Sequence, residues 1–146
     1  MKRNLFILVL AIAVMFSACN DDGDGGGDNG EGSGNVVISS NITENTTWTA
    51  DKIYELGGRI AVEDGAVLTI EAGTVIKGQA GTGASATALL IARGGKLMAE
   101  GTASLPIIFT TVADEITPEQ VATGDFASPN LLPDQNGLWG GLIVLG

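Results

Sequence analysis

Hydrophobic and polar residues follow three patterns along the chain. An unbroken apolar run extends from Leu5 to Phe16, residues 20–34 contain no aliphatic side chain, and from about Asn35 onward short apolar stretches alternate with glycine and polar residues. Apolar side chains at every second position are typical of β-strands, and glycine between the stretches favours tight corners. The pattern predicts a leader, a linker and a folded body of short strands over residues 35–146.

The predicted strands repeat along the body. The stretch 60–74 aligns with the stretch 89–102, and a third unit begins at 142–145 after an insertion at about 112–137. The aligned pairs lie 29 positions apart, and they are Val62 with Ile91, Gly65 with Gly94, Leu68 with Leu97, and Glu71 with Glu100. A further strand is expected after each unit, at 74–76 and at 107–109. Three short strands in each repeat of 20–30 residues are typical of a solenoid of parallel coils, so the predicted fold is an all-β, right-handed β-helix.

In such a solenoid each coil hydrogen-bonds to its neighbours, and equivalent inward side chains stack into ladders. The expected ladders are Val62, Ile91 and Val144, and Leu68 with Leu97. One short helix is also expected, because Thr117 is followed by Pro118 and then by Gln120, which together form a capping box with proline at the first helical position.

The apolar run at the start of the chain has the composition of a secretory leader. Lys2 and Arg3 precede the run, which at 12 residues is shorter than the roughly 20 that cross a bilayer. Small residues at 17–18 then precede Cys19, the single cysteine of the chain. This order predicts a lipoprotein signal peptide over residues 1–18 and lipid attachment at Cys19, although phenylalanine takes the place where leucine is usual, three residues before the cysteine.

Residues 19–34 are predicted to be a flexible acidic tether, since seven glycines and five acids cannot bury enough apolar surface to fold. Part of this stretch, residues 20–31, resembles a calcium loop. The match fails at Asn20, where aspartate is usual, and at Gly27, where an aliphatic residue is usual. We therefore expect no metal and no cofactor.

The acidic net charge and the absence of histidine make some classes of partner and of catalytic chemistry unfavourable. The chain has 7 basic and 17 acidic residues and a formal net charge of −10, and loss of Lys2 and Arg3 with the leader makes it more acidic. Nucleic acid and anionic lipid headgroups would repel such a chain, so neither is an expected partner. The sequence contains no histidine, the commonest general base and metal ligand.

Two segments carry a family resemblance. Residues 95–110 (GKLMAEGTASLPIIFT) and 138–145 (LWGGLIVL) resemble coil signatures of pectin-lyase-like right-handed β-helix proteins, and more narrowly those of β-helical surface lipoproteins of Bacteroidota. The acidic tract after Cys19 is similar to the export signal of those lipoproteins. The resemblance, which covers about residues 41–146, implies an outer-membrane protein anchored by lipid and facing outward.

Candidate site residues are few. Glu63 and Asp64 are neighbours on one strand and so do not converge. Glu71 and Glu100 stack at a corner one coil apart, where they could share a cation, although the repeat alone favours two solvated acids. No catalytic motif of the family matches this sequence. The insertion and the two tryptophans are the candidate ligand contacts. The composition favours a structural role over ligand contact for each tryptophan: a cap on the first coil for Trp48 and a wedge against the insertion for Trp139. The candidates are Trp48, Trp139, Asp125 and Phe126.

Three functions remain open at this level. The first is a surface lipoprotein whose β-helix serves binding or adhesion, with a glycan or a surface protein as the expected ligand. The second is a polysaccharide lyase or hydrolase with catalytic coils beyond residue 146, and the third is a structural stalk. Two coils and the start of a third are few for a solenoid, so we expect residues 1–146 to be the N-terminal part of a longer protein.

Overall fold

The computed structural model describes residues 34–146, so the predicted signal peptide, Cys19 and most of the predicted tether lie outside the described residues. Ten strands, one α-helix and one short 3-10 helix follow one another along this part of the chain. The elements are β1 (Asn35–Ile38), β2 (Thr46–Trp48), β3 (Ile53–Leu56), β4 (Arg59–Val62), β5 (Val67–Ile70), β6 (Val75–Gly78), the 3-10 helix Gly83–Ser85, β7 (Ala88–Ile91), β8 (Lys96–Ala99), β9 (Ile108–Thr111), α1 (Pro118–Thr123) and β10 (Leu142–Val144).

The strands form three parallel sheets that the chain visits in rotation. Sheet A has the order β1-β3-β6-β9, sheet B has the order β10-β7-β4, and sheet C has the order β2-β5-β8. Every strand pair is parallel, and successive strands of the chain lie in different sheets. The residues therefore form the parallel β-helix that the repeat predicts.

The predicted ladders are confirmed residue by residue. Val62 pairs with Ile91, Ile91 pairs with Val144, and Leu68 pairs with Leu97. Val62 and Leu68 have no exposed surface, and they belong to one continuous core inside the three sheets. The offset of 29 in the sequence is thus one turn of the coil in sheets B and C.

The glycine corner between sheets B and C is confirmed as well. Gly65 and Gly94 occupy the same place in successive coils, with φ angles of 81° and 83°. L-amino acids with a Cβ seldom adopt such angles, so glycine is required where the chain turns from one sheet to the next.

The structure contains one coil more than the sequence pattern predicts. β1 pairs with β3, β2 pairs with β5, and between them Ile42 forms a single parallel bridge to Val62. Two asparagine side chains complete this first coil, since Asn41 accepts from the Ala61 amide at 3.0 Å and Asn45 accepts from the Val67 amide at 3.0 Å. Side-chain amides thus replace part of a regular ladder at this end of the described solenoid.

The segment between β9 and β10 packs back onto the outer face of sheet A. Its buried residues Ile116 and Val121 contact Val75, and Ile53 and Ile108 lie against the same cluster. The predicted capping box of α1 is confirmed, with Thr117 accepting from the Gln120 amide and the Gln120 side chain accepting from the Thr117 amide. The segment is therefore a fixed outer layer on sheet A.

Candidate functional site

A groove opens beside β9, where the returning segment approaches β10. It has a volume of about 240 Å³, slightly below the roughly 300–1,000 Å³ of typical small-molecule clefts. Its described lining residues are Phe109, Thr110, Thr111, Leu131, Gln135, Asn136, Gly137, Leu138 and Trp139. Two aromatic rings, aliphatic groups, two side-chain amides and two hydroxyls thus surround a space large enough for about one sugar ring.

A missing side chain in the ladder fixes the position of Trp139. In sheet A, Leu56 pairs with Gly78 and Gly78 pairs with Thr111, so glycine leaves a gap in an inward-facing row. The indole of Trp139 fills this gap, because a Cβ added at Gly78 would collide with the ring. Trp139 and Phe109 both pack against the core and both remain partly exposed, which leaves aromatic surface at the groove.

The polar side chains of the groove retain unused hydrogen-bonding atoms. The Gln135 Oε1 atom accepts from the Leu132 amide at 3.0 Å, and the Asn136 Nδ2 atom donates to the Asp134 carbonyl at 3.2 Å. These bonds engage one end of each amide, and an amide group can donate and accept at the same time. The amides of Gln135 and Asn136 are therefore held in place with a donor and an acceptor to spare.

Behind the groove, a buried polar cluster attaches the returning segment to sheet A. The Lys77 ammonium donates to the Asp114 carbonyl at 2.6 Å. The Asp114 carboxylate accepts from Thr110 at 2.7 Å, from Ser128 at 2.8 Å and from the Ile116 amide at 3.0 Å. Lys77 and Asp114 are 7% and 6% exposed, so these bonds form almost out of contact with solvent.

Burial and hydrogen bonding shift the acid–base behaviour of both groups. Burial lowers the pKa of the Lys77 ammonium below its ordinary value, against the opposing charges of Asp114, Glu55 and Glu115. Burial also tends to raise the pKa of Asp114. Its hydrogen bonds with Thr110, Ser128 and the Ile116 amide, together with Lys77, outweigh that tendency and hold the pKa below its ordinary value. Asp114 is therefore an ionised anchor at neutral pH.

The residues predicted to contact ligand lie in different environments. Trp48 is 1% exposed and stacks on Tyr54 with a centroid separation of 4.8 Å, so its ring belongs to the core. Asp125 and Phe126 follow the end of α1, where Phe126 is 38% exposed and Asp125 accepts from the Ala127 amide at 3.3 Å. Of the four candidates, Trp139 alone is among the described residues that line the groove.

The partners of Trp139 in the groove were missed from the sequence. Gln135 and Asn136 lie in a loop where amides are ordinary, and Phe109 belongs to a predicted strand, where an aromatic residue is expected in the core. A signal was nevertheless present in the sequence, since both amides lie within four positions of Trp139.

A second cavity lies on the outer face of sheet B. It has a volume of about 340 Å³ and is lined by Arg59, Ala86, Ala88, Leu90, Gly140 and Ile143. Its single charged group is already engaged, because Arg59 donates to the Ala86 carbonyl at 3.2 Å and to the Gly83 carbonyl at 2.8 Å. The remaining surface is aliphatic, so the groove beside β9 has the richer chemistry.

Residues 34–146 contain no cluster of three or more His, Cys, Asp or Glu side chains suited to a metal ion. The Glu71 carboxylate, one of the two stacked corner acids, accepts from the Ala50 amide at 3.3 Å. No helix in the same range has the length and hydrophobicity needed to cross a membrane.

Three parallel sheets visited in rotation, with aliphatic ladders inside, define a right-handed parallel β-helix. Comparison with known families agrees with this class, because the model of a pectate-lyase-like β-helix domain matches residues 40–146. The chain belongs to that family. Searches of curated proteins and of solved structures found no significant match. One fold of this kind supports many activities, so the function depends on the residues of the groove and not on the fold alone.

Proposed function

We propose that this chain is a surface-exposed, lipid-anchored outer-membrane protein whose β-helical body binds a glycan in the groove beside β9. The observation that carries the binding proposal is the combination of Phe109 and Trp139 with Gln135 and Asn136. The apolar face of a sugar ring packs well on an aromatic ring, and its hydroxyls pair with amide groups that both donate and accept.

Binding fits this groove better than cleavage does. Most enzymes that hydrolyse glycosidic bonds use two carboxyl groups on either side of the bond. The described lining side chains are aromatic, aliphatic, amide and hydroxyl groups. These groups hold and orient a sugar, and they do not include the carboxylates that such a reaction uses.

The proposed anchor rests on the sequence alone. Lys2, Arg3, the apolar run, the small residues before Cys19 and the acidic tract after it have the order of a lipoprotein leader. A lipid on Cys19 followed by a glycine-rich tether would leave the body free to meet glycans outside the cell.

Glycan binding is tested with the purified full chain in mild detergent, first on a glycan array and then by calorimetry with the best ligands. We expect Gln135→Ala and Asn136→Ala each to weaken binding by about tenfold, the loss of roughly one hydrogen bond. Asn35→Ala is the matched control, because Asn35 is an exposed amide on β1, at the opposite edge of sheet A. Equal affinity of the control and groove variants, or no array signal from the intact chain, would refute glycan binding at this groove.

The anchor is tested by metabolic labelling with a palmitate analogue in a Bacteroidota host. We expect label on the wild-type chain and none on Cys19→Ala, and we expect a protease added to intact cells to cleave the wild-type body. Label that persists on the alanine variant would disprove attachment at Cys19, while full protection from the protease would disprove outward display.

A further inference from the structure

We propose that the groove beside β9 selects uncharged sugars and discriminates against uronic acids. This inference rests on the proposed glycan binding and specifies the ligand class. It departs from what membership in a pectate-lyase-like family suggests, since pectate is a polymer of an acidic sugar. The chemistry of the groove wall supports it.

The first observation is the character of the lining. The described side chains that line the groove are all uncharged, and the polar ones are the amides of Gln135 and Asn136 and the hydroxyls of Thr110 and Thr111. Such groups hydrogen-bond sugar hydroxyls well. A sugar carboxylate that entered the groove would lose much of its hydration without gaining a cation, and this loss costs free energy.

The second observation is the charge behind the wall. Thr110, one of the lining residues, donates its hydroxyl proton to the Asp114 carboxylate at 2.7 Å, so an ionised acid lies directly behind this part of the lining. The buried cation of this region, Lys77, donates to the Asp114 carbonyl and is 7% exposed. The cluster therefore places a negative charge close to the lining and keeps its positive charge away from the surface.

The third observation is the charge of the whole chain. With a formal net charge of −10, the chain repels an acidic polysaccharide before contact, and this repulsion lowers the association rate at low salt. A neutral polysaccharide has no such penalty. The uncharged lining of the groove and the negative net charge of the chain thus both favour uncharged glycans over acidic ones.

The experiment compares two ligands that share one sugar backbone and differ in charge: oligogalacturonides and their fully methyl-esterified forms. Each is titrated calorimetrically into the full chain, once with calcium and once with a chelator. We expect the neutral esters to bind at least about tenfold more tightly in both conditions, with the difference shrinking as salt increases. Acidic oligomers that bind the wild type as tightly as the esters, or that overtake them when calcium is added, would overturn the selectivity.

A charge-introducing variant tests whether the groove is responsible. Asn136→Lys places an ammonium in the lining and should shift the preference toward the acidic oligomers by about tenfold or more. Asn35→Lys makes the same charge change at the opposite edge of sheet A and should leave the preference unchanged. An equal effect of both variants would assign the discrimination to net charge and overturn the role of the groove.

Failure of the selectivity is distinguishable from failure of the proposed function. If both ligand forms bind equally well and Gln135→Ala weakens both, the groove binds glycans and only the selectivity is wrong. If neither form binds and the glycan array is also empty, the proposed function itself is wrong.

Discussion

Gly78 and Trp139 show how a single residue in a repeat places an aromatic ring. Every other inward position of that row carries a side chain, namely Ile38, Leu56 and Thr111. Because glycine leaves the row open, the indole enters the gap from a segment about 60 residues further along the chain. The absence of a side chain at Gly78 is thus required for the Trp139 indole to lie where it does in the proposed binding groove.

Substitution of Gly78 by alanine tests this relation. The added Cβ collides with the indole, so we expect a loss of about 1–3 kcal/mol in the free energy of unfolding, together with a shift in tryptophan fluorescence. Gly58→Ala is the matched control, because its Cβ would meet no atom within 4 Å and its backbone is outside the positive-φ region. Equal stability of the two variants in chemical denaturation would contradict the proposed contact.

Asp114 is the residue through which pH should act on stability. The pKa of Asp114 in the folded chain lies below the ordinary value of 3.8, so folding favours its ionised form. The stability that this carboxylate contributes is fully present above pH 3.8 and is lost as the pH falls through the lower folded pKa. Asp114→Asn should therefore flatten the dependence of unfolding free energy on pH below about 4.

At pH 7 the same variant should lose about 1–3 kcal/mol, because it replaces a charged acceptor in a buried network. Asp134→Asn, at an exposed position, is the control and should leave the stability at pH 7 unchanged. Denaturant unfolding followed between pH 2.5 and 7 measures both quantities. A slope for Asp114→Asn that matches the wild type would show that this carboxylate does not act as the anchor.

At the scale of elements, the sequence predicted coils wherever the repeat was regular. Gly65 and Gly94 recur 29 positions apart, and the strands after them keep their register, so β4, β5, β7 and β8 were found with their ladders. The first coil was missed because asparagine side chains and a single bridge at Ile42 stand in for a regular strand.

The packing of the returning segment could not be predicted in the same way. Helix α1 was identified from its capping box, which is a local signal. Its contact with sheet A depends on Ile116 and Val121 meeting Val75, a residue more than 40 positions earlier in the chain. Two apolar residues in a polar stretch give no periodicity from which to infer such a partner. The groove was missed for the same reason, since it exists only where this segment meets β9.

Val121→Ala separates the stability of this outer layer from that of the solenoid. Val121 is fully buried in the small cluster outside sheet A, so truncation should cost about 1–2 kcal/mol locally. We expect faster hydrogen exchange in α1 with little change in the amides of β4 and β7. Thr123→Ala, at an exposed position on the same helix, is the control. Uniformly faster exchange across all three sheets would show instead that the layer and the solenoid unfold together.

At the scale of the whole described body, strand β10 differs from the other strands of its sheet, because its inward-row side chains are exposed. Leu142 and Val144 continue the inward rows of Leu89 and Ile91, yet they are 40% and 64% exposed. Ile143 and Leu145 beside them are also exposed, at 41% and 48%. A parallel strand with apolar side chains and an unpaired edge is a template for association with another chain.

We therefore expect the 146-residue chain to associate in a concentration-dependent manner, and we expect Val144→Lys to reduce that association. The lysine places a charge on the inward row of β10, where it opposes edge-to-edge pairing without disturbing a buried contact. Light scattering and sedimentation velocity over a tenfold concentration range measure the effect, with Thr123→Lys as a control that adds the same charge on α1. None of the described residues that line the groove beside β9 belongs to β10. The glycan affinity per chain should therefore be unchanged in Val144→Lys. Parallel loss of association and glycan binding would show that the groove forms only between associated copies, and it would move the proposed site from the single chain to the assembly.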